Sequence, residues 1–192
     1  MVIRMALLHL VATPPSLRNF HTEIDNALHV SKGALSPATK NGGIITTAEA
    51  LTLPYLQAVV REGLRIYPLT GLVGKQVPVG GDTVHGYKLP EGTVLGQNLW
   101  GLCRDKRTWG ADADIFRPER WLPGEDVESQ ARVKEMIGVQ ELVFGYGKYQ
   151  CLGKNLAVME LGKVFFEVSL LLFRKQDELV QPWWIISTGV IR

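Results

Sequence analysis

Apolar residues recur at helical spacing in the first third of the chain and predict two helices. The first is predicted over Ser16 to Val30, after a break at Pro14-Pro15. The second begins at Pro54, a favourable first-turn residue, and ends at Pro68, which cannot continue a helix. The positions that carry this periodicity are Leu17, Phe20, Ile24 and Leu28 in the first helix, and Leu56, Val60, Leu64 and Tyr67 in the second.

Longer apolar runs lie near both ends of the chain, and we assign them to core helices. Met1 to Ala12 is too short for a signal peptide and leads into prolines without a small-residue cleavage pattern. Leu152 to Phe173 carries one narrow polar stripe, made by Glu160, Lys163 and Glu167, which predicts a helix buried on nearly every side. No run reaches the roughly 20 apolar residues of a membrane-spanning helix, so no span is predicted within this chain.

Between the two helical regions, the segment from Val77 to Thr93 alternates short apolar runs with Gly, Pro and Asp. This pattern is typical of a small antiparallel sheet. A stretch from Ser31 to Gly43, rich in Gly, Ser, Lys and Pro, predicts a surface connector. The predicted fold class is therefore mainly α with a small antiparallel β region.

The amino-acid composition excludes some classes of function but does not identify one. The chain has 192 residues, about the length of one domain, with 46% hydrophobic residues, 21% charged residues and a net charge of +2. Its basic residues are interleaved with acids, so no phosphate-binding stripe and no nucleic-acid partner is expected. Its two cysteines, Cys103 and Cys151, are too few for a disulfide framework and favour a reducing compartment or a metal site.

Cys151 stands between a glycine-rich turn and the start of the C-terminal helix. Gly145 and Gly147 allow backbone angles that other residues avoid. A sulfur at a helix N-terminus faces unpaired N–H groups and the positive end of the helix dipole, which favours the thiolate. Lys148 and Lys154 add positive charge nearby. The pattern predicts that Cys151 is an accessible thiolate, and the alternative is a buried, unreactive cysteine.

The segment from Phe144 to Gly153 resembles the haem-binding loop of the cytochrome P450 superfamily, whose pattern is Phe-x-x-Gly-x-Arg-x-Cys-x-Gly. Four of its five defining positions are filled by Phe144, Gly147, Cys151 and Gly153. The fifth, an arginine in the family, is Tyr149 here. The variant is similar to runs in filamentous-fungal members.

This resemblance implies a haem cofactor, iron protoporphyrin IX, with Cys151 as the axial ligand of its iron. It implies that Phe144 packs against the macrocycle and that Gly153 lets it approach the main chain. Lys148 would bring a cation to a haem propionate in place of the missing arginine. Lys75 lies near the position where many members carry a basic residue that faces a propionate. No residue of the chain is assigned a catalytic role.

A second family pattern lies upstream of the cysteine. Glu62 and Arg65 match its Glu-x-x-Arg motif, and Phe116 to Trp121 stands where the family has a Pro-Glu-Arg-Phe-like segment. On a helix alone, the three-residue spacing predicts only an ion pair worth a few tenths of a kcal/mol. The resemblance implies instead that Arg120 joins Glu62 and Arg65 in one buried charge network.

Taken together, these motifs resemble the C-terminal part of the cytochrome P450 fold, and residues 1–192 are expected to form a single partial domain. The N-terminal half and the central oxygen-activating helix are expected to be absent. The final segment, Gln181 to Arg192, departs from the family pattern.

The function implied for the whole enzyme is a monooxygenase that oxidises a small organic substrate with dioxygen and takes electrons from an NADPH-dependent reductase. Its expected location is the endoplasmic reticulum membrane, if the full-length enzyme carries the usual N-terminal anchor.

Two alternatives stay open. The first is a non-catalytic haem-binding fragment or pseudo-enzyme without independent activity. The second is an unrelated enzyme with Cys151 as nucleophile, although none of its four histidines belongs to a recognisable signature with that cysteine.

Overall fold

A computed structural model of the chain describes residues 2–29, 35–69 and 72–171. The predicted class, mainly α with a small antiparallel β region, is confirmed within these ranges. The α-helices are α1 (Val2–Ala12), α2 (Pro14–His29), α3 (Pro37–Lys40), α4 (Thr47–Leu51), α5 (Pro54–Ile66), α6 (Leu99–Leu102), α7 (Lys106–Trp109), α8 (Val127–Glu141) and α9 (Lys154–Ser169). Short 3₁₀ helices span Pro118–Trp121, Leu142–Phe144 and Gly147–Tyr149.

Helix α5 is the centre of the fold. It contacts α1, α2, α4, α8, α9 and the 3₁₀ helix Pro118–Trp121. Its side chains are buried on almost every face, including Leu56 and Val59, which are 0% exposed. The predicted bounds of this helix are confirmed, because Pro54 is its first residue and Tyr67, just ahead of Pro68, is its C-cap.

A distant carboxylate caps the start of α5. Its N-cap, Leu53, has no side chain that could accept a hydrogen bond from the first turn. Glu23 of α2 supplies both oxygens instead, accepting from the backbone N–H of Tyr55 at 2.7 Å and of Leu56 at 2.8 Å. The contact satisfies two of the N–H groups that every helix leaves open at its N-terminus, and it fixes α2 against α5.

The junction between α1 and α2 differs from the prediction. The two helices are separated by Thr13 alone, and Pro14 and Pro15 form the first turn of α2 rather than a break before Ser16. Proline is tolerated there because first-turn N–H groups have no partner within the helix. The assignment of the first residues to a core helix is confirmed, since Val2, Ala6 and Leu10 of α1 are buried.

Helix α9 is less buried than its sequence predicted. One face, made by Leu161, Phe165 and Phe166, packs into the core against α1, α4 and α5. The first turn is open, and Leu156 is 54% exposed. The prediction of burial on nearly every side was wrong for the described residues, because only one side of α9 has packed helices as neighbours. The predicted end at Phe173 lies outside the described residues.

The β region forms two separate two-stranded antiparallel sheets. Strands β2 (Asp82–Val84) and β3 (Tyr87–Leu89) pair within the predicted segment. Strands β1 (Leu72–Gln76) and β4 (Val94–Asn98) lie on either side of it, with Gln76 opposite Val94. The sequence did not single out these outer strands because Gly74 and Gly96 interrupt their apolar alternation.

The predicted connector contains structure of its own over residues 35–43. It includes the short helix α3, and Leu35 and Thr39 within it are buried. Glu49 of α4 explains this order, because its carboxylate accepts hydrogen bonds from the Ser36 backbone at 2.6 Å and from the Thr46 backbone at 2.8 Å. Thr46 and Glu49 form a reciprocal capping box at the start of α4.

Within residues 2–29, 35–69 and 72–171, no helix combines the length and the apolar character that crossing a membrane requires.

The hydrogen bonds on Glu49 predict an acid-sensitive contact. Bonds from Thr46 and Ser36 stabilise its ionised form and lower its pKa from 4.5 to about 2. A carboxyl group whose pKa is depressed by folding stabilises the fold above its unfolded pKa, and the stabilisation is lost as pH falls toward the folded value. We expect Glu49→Gln to flatten the dependence of the unfolding free energy on pH between about 4.5 and 2.

The matched control is Glu125→Gln, which changes an exposed carboxylate. Denaturant titrations at a series of pH values would measure the unfolding free energy of the wild type, Glu49→Gln and Glu125→Gln. If the wild-type and Glu49→Gln curves ran parallel through the acid range, the contact would not contribute to stability.

Candidate functional site

A buried ion cluster joins α5 to the segment that follows α7. The Glu62 carboxylate faces Arg65, which donates from Nε to Oε2 and from Nη2 to Oε1, both at 2.8 Å. Arg120 donates from Nε to Oε1 at 3.1 Å. The side chains of Glu62 and Arg65 are 0% exposed and that of Arg120 is 1% exposed. The structure thus brings together the three residues predicted for the charge network.

The two guanidinium groups also bind main-chain carbonyls of the irregular segment from Cys103 to Ile115. Arg65 donates from Nη1 to Cys103 O at 2.7 Å and to Ala113 O at 2.6 Å. Arg120 donates to Trp109 O at 2.9 Å and to Ile115 O at 3.2 Å. A planar guanidinium can serve several acceptors at once, so two side chains hold a stretch that has little regular secondary structure.

Three further members of this cluster were not identified in the sequence. The indole N–H of Trp121 donates to Glu62 Oε2 at 2.9 Å, and the backbone N–H of Arg117 donates to Oε1 at 2.8 Å. Asp112 lies 3.0 Å from Arg117 and 3.4 Å from Arg120, so it compensates the excess positive charge. Trp121 belongs to the segment whose family pattern predicted Arg120, so its membership could have been predicted from the sequence. No sequence pattern indicated Asp112.

The cysteine lies on a tight loop that folds back on itself. Gly145 and Gly147 have φ values of 76° and 62°, in the left-handed region that glycine adopts without strain. This geometry brings the Cys151 backbone N–H to within 2.7 Å of the Phe144 carbonyl oxygen, which accepts its hydrogen bond. Cys151 is exposed and free, and it precedes Gly153, the N-cap of α9, by two residues.

The second cysteine, Cys103, is also a free thiol, but it is buried where Cys151 is exposed. Cys103 is 0% exposed, and burial raises the pKa of its thiol to about 11. Its buried neighbourhood keeps the thiol protonated and inaccessible, so Cys103 acts as a packing residue. Cys151 is therefore the accessible thiol among the two.

A cavity of about 900 Å³ lies between the β1–β4 sheet and the cysteine loop. Leu95 and Leu142 line it together with Lys75 and Tyr149. The ammonium nitrogen of Lys75 lies 5.1 Å from the centre of the Tyr149 ring, and that of Lys148 lies 5.9 Å from it. Two cations thus surround the tyrosine that stands in place of the family's arginine.

The predicted cofactor residues do not all face this cavity. Phe144 lines a second cavity, of about 440 Å³, between α5 and α9. Cys151 and Gly153 line neither cavity, although the loop that carries them contributes Gly145, Tyr146 and Tyr149 to the larger one.

Comparison with known proteins decides the family. The model of the cytochrome P450 family matches residues 1–191. The chain belongs to the cytochrome P450 family.

Several fungal P450 proteins resemble it. Cytochrome P450 monooxygenase ABA1 of Pyricularia oryzae is 42% identical over 167 residues, which cover 86% of this chain and 30% of that protein. The aba1 protein of Botryotinia fuckeliana is 41% identical over 189 residues, or 98% of this chain and 35% of that protein. Pisatin demethylase of Fusarium vanettenii is 38% identical over 142 residues, 73% of this chain and 26% of that protein. The chain spans about a third of the length of the first two relatives.

The P450 family implies a haem cofactor, and the described residues fit one. The larger cavity has the volume of a small-molecule site, and the loop that borders it carries a free, exposed thiol, although Cys151 itself does not line the cavity. Thiolate sulfur is a known axial ligand of haem iron. A Cβ added to Gly153 would have the Cys151 Sγ, 3.8 Å away, as its only near neighbour among the described atoms. The glycine therefore keeps open the space beside the sulfur.

The buried cluster generates a stability prediction. Glu62→Ala removes the shared acceptor, leaves the buried Arg65 guanidinium without a carboxylate and leaves Arg120 with Asp112 alone, so we expect a loss of about 3–5 kcal/mol in the free energy of unfolding. Urea denaturation followed by circular dichroism would measure it.

Arg107→Ala is the control for this change. Its ion pair with Asp105 is on the surface, where the Arg107 side chain is 90% exposed, so its loss should leave stability nearly unchanged. Equal effects of the two substitutions would show that burial of the Glu62 cluster has no energetic weight.

Proposed function

We propose that the full-length protein is a haem-thiolate monooxygenase and that Cys151 is the axial ligand of its haem iron. The observation that supports this most directly is the exposed, free thiol on a glycine loop, in a chain of the cytochrome P450 family. When bound, haem supplies the chemistry that activates dioxygen and inserts one oxygen atom into an organic substrate. The protein binds, orients and tunes it.

In this proposal the cysteine loop sets the position of the sulfur. The Cys151 N–H is already engaged by the Phe144 carbonyl, so the loop holds its shape without help from a ligand. Gly147 completes the turn, and Gly153 leaves room for the face of a flat macrocycle beside the sulfur. Phe144 packs on the core side of the loop, where it supports the macrocycle through the loop backbone.

Lys75 and Lys148 take over the task of the missing arginine. A haem propionate needs a cation, and Tyr149 cannot provide one. Both lysines lie within 6 Å of the Tyr149 ring centre, and Lys75 and Tyr149 line the larger cavity, whereas Lys148 does not. We infer that they neutralise the propionates, with the tyrosine ring keeping their side chains in place.

The network of Glu62, Arg65 and Arg120 acts as a positioning element. It ties the irregular segment before the 3₁₀ helix Pro118–Trp121 to α5. Helix α5 in turn packs against α9, which follows directly from the cysteine loop. The network therefore holds the framework around the thiolate and does not take part in chemistry.

For the whole protein, we infer that residues 1–192 form one partial domain, the C-terminal portion of the P450 fold. The partners we propose are a small organic substrate and an NADPH-dependent reductase that delivers electrons. For a full-length enzyme that carries the family's usual N-terminal anchor, the proposed location is the endoplasmic reticulum membrane.

A reduced carbon monoxide difference spectrum tests the iron ligand. We expect the purified chain, after haem addition, to give a thiolate-type Soret band. Cys151→Ala should abolish this band, whereas Cys103→Ala should retain it, because Cys103 is buried and protonated. The same band in Cys151→Ala would remove Cys151 from the proposal.

Alkylation of Cys151 separates the remaining alternatives. Haem bound through the sulfur should protect the thiol from iodoacetamide, since the thiolate is then engaged by the metal. Protection without substrate turnover would favour a non-catalytic haem-binding fragment. Alkylation that proceeds equally with and without haem, in a sample that binds no haem, would favour a nucleophilic cysteine instead.

Haem titration tests the lysines. Replacing both Lys75 and Lys148 by glutamine should weaken haem binding by about tenfold, since charge-assisted contacts to the propionates are lost. Replacing the exposed Lys88 of β3 and the exposed Lys134 of α8 together by glutamine is the control of equal charge change. Identical affinities of the double variant and the wild type would exclude the lysines from propionate binding.

A further inference from the structure

The second cavity, between α5 and α9, has walls of mixed character. It has a volume of about 440 Å³, which is within the usual range of small-molecule sites. Apolar side chains form much of its lining: Leu51, Val60, Leu64, Phe144, Val158 and Met159. Arg61 of α5 and Gln140 of α8 belong to the same lining, and both carry side-chain hydrogen-bond donors.

Gln140 has a buried donor without an acceptor. Its side-chain oxygen accepts from Arg61 Nη1 at 3.5 Å. Because arginine can only donate, this contact fixes which way round the amide lies. The Gln140 Nε2 is then left buried with no hydrogen-bond partner among the described residues, although the residue is only 2% exposed. A buried amide that lacks an acceptor destabilises the protein unless a ligand supplies one.

The charged side chains that line this cavity leave an excess of positive charge, which also calls for a negative partner. Lys154 pairs with Glu141, with 3.2 Å between Nζ and Oε2. Among the described residues, no carboxylate lies within ion-pair distance of Arg61, so one positive charge is left over. Burial lowers the pKa of Arg61, with a smaller opposing effect from Glu141, which agrees with a guanidinium short of compensation.

We propose that this cavity binds a small carboxylic acid with an apolar body. Its carboxylate accepts hydrogen bonds from Arg61 and from the Gln140 amide, and its apolar part lies against Val60, Leu64 and Met159. A negative ligand with two acceptor oxygens satisfies both the open amide and the surplus charge, whereas a neutral ligand with an acceptor oxygen satisfies the amide alone and a cationic ligand adds to the surplus charge. The site needs no haem, so it is independent of the function proposed above.

Phe144 connects this site to the cysteine loop. Its side chain lines the acid-binding cavity, and its carbonyl oxygen holds the Cys151 N–H at 2.7 Å. A bound acid would therefore contact the residue that fixes the backbone of the cysteine. The cavity lies apart from the larger one, with which it shares no lining residue.

Octanoate and 1-octanol are the probes for this site, because they share the same chain and differ in the carboxylate. Isothermal titration and the melting temperature of the full chain give two readouts, since a ligand of the native state raises the latter. We expect octanoate to bind at least about tenfold more tightly than octanol, through its charge-assisted hydrogen bonds. Equal affinities, or no binding of octanoate, would overturn the proposal.

Variants then locate the site. Arg61→Gln should lower octanoate affinity about tenfold, and Arg18→Gln, an exposed arginine on α2, should leave it unchanged. Gln140→Glu is the sharper test, because it keeps the size of the side chain and places a carboxylate beside Arg61. It should raise the melting temperature and abolish octanoate binding. Undiminished binding in Gln140→Glu would show that octanoate binds elsewhere and would refute the assignment.

Discussion

The buried carboxylate of Glu62 is the contact on which the arrangement of this chain depends. It accepts from two arginines, one indole and one backbone N–H, with no exposure to solvent. An isolated carboxylate in such a place would be prohibitively costly, so the cluster forms as a whole or not at all. The arginines then extend to main-chain carbonyls of a segment that lacks a sheet or a long helix to satisfy them.

This cluster also explains why α5 can be the central helix. Its apolar faces pack against α1, α2, α4 and α9, while Glu62 and Arg65 point into the cluster instead of solvent. The chain therefore buries charge and apolar surface on the same helix. The cysteine loop gains its position from this arrangement through α9, and two cavities flank the loop, one bordered by the β1–β4 sheet and one by α5.

Sequence patterns succeeded where a local signal and a tertiary neighbour agreed. Helix α5 was placed correctly because Pro54 and Pro68 bracket a regular apolar repeat, and its environment is apolar as that repeat implies. Helix α9 shows the opposite case. Its apolar composition suggested burial all round, yet Leu156 is exposed because burial depends on which neighbours the fold supplies. Pro14-Pro15 led to a wrong prediction for another reason. Proline can end a helix or occupy its first turn, and here it begins α2 where a break was predicted.

The motifs are readable from the chain alone: the glycine loop around Cys151, the Glu62 and Arg65 pair, and the Arg120 segment. They depend on residue type and spacing along the chain, which folding does not alter. Other contacts arise only from three-dimensional packing: Asp112 balances the cluster, Glu23 caps α5 from 32 residues away, and Arg61 and Gln140 share a cavity. Such contacts join positions that are distant along the chain, so no local sequence pattern predicts them. Each of these side chains gains its role only when folding buries it beside its partner.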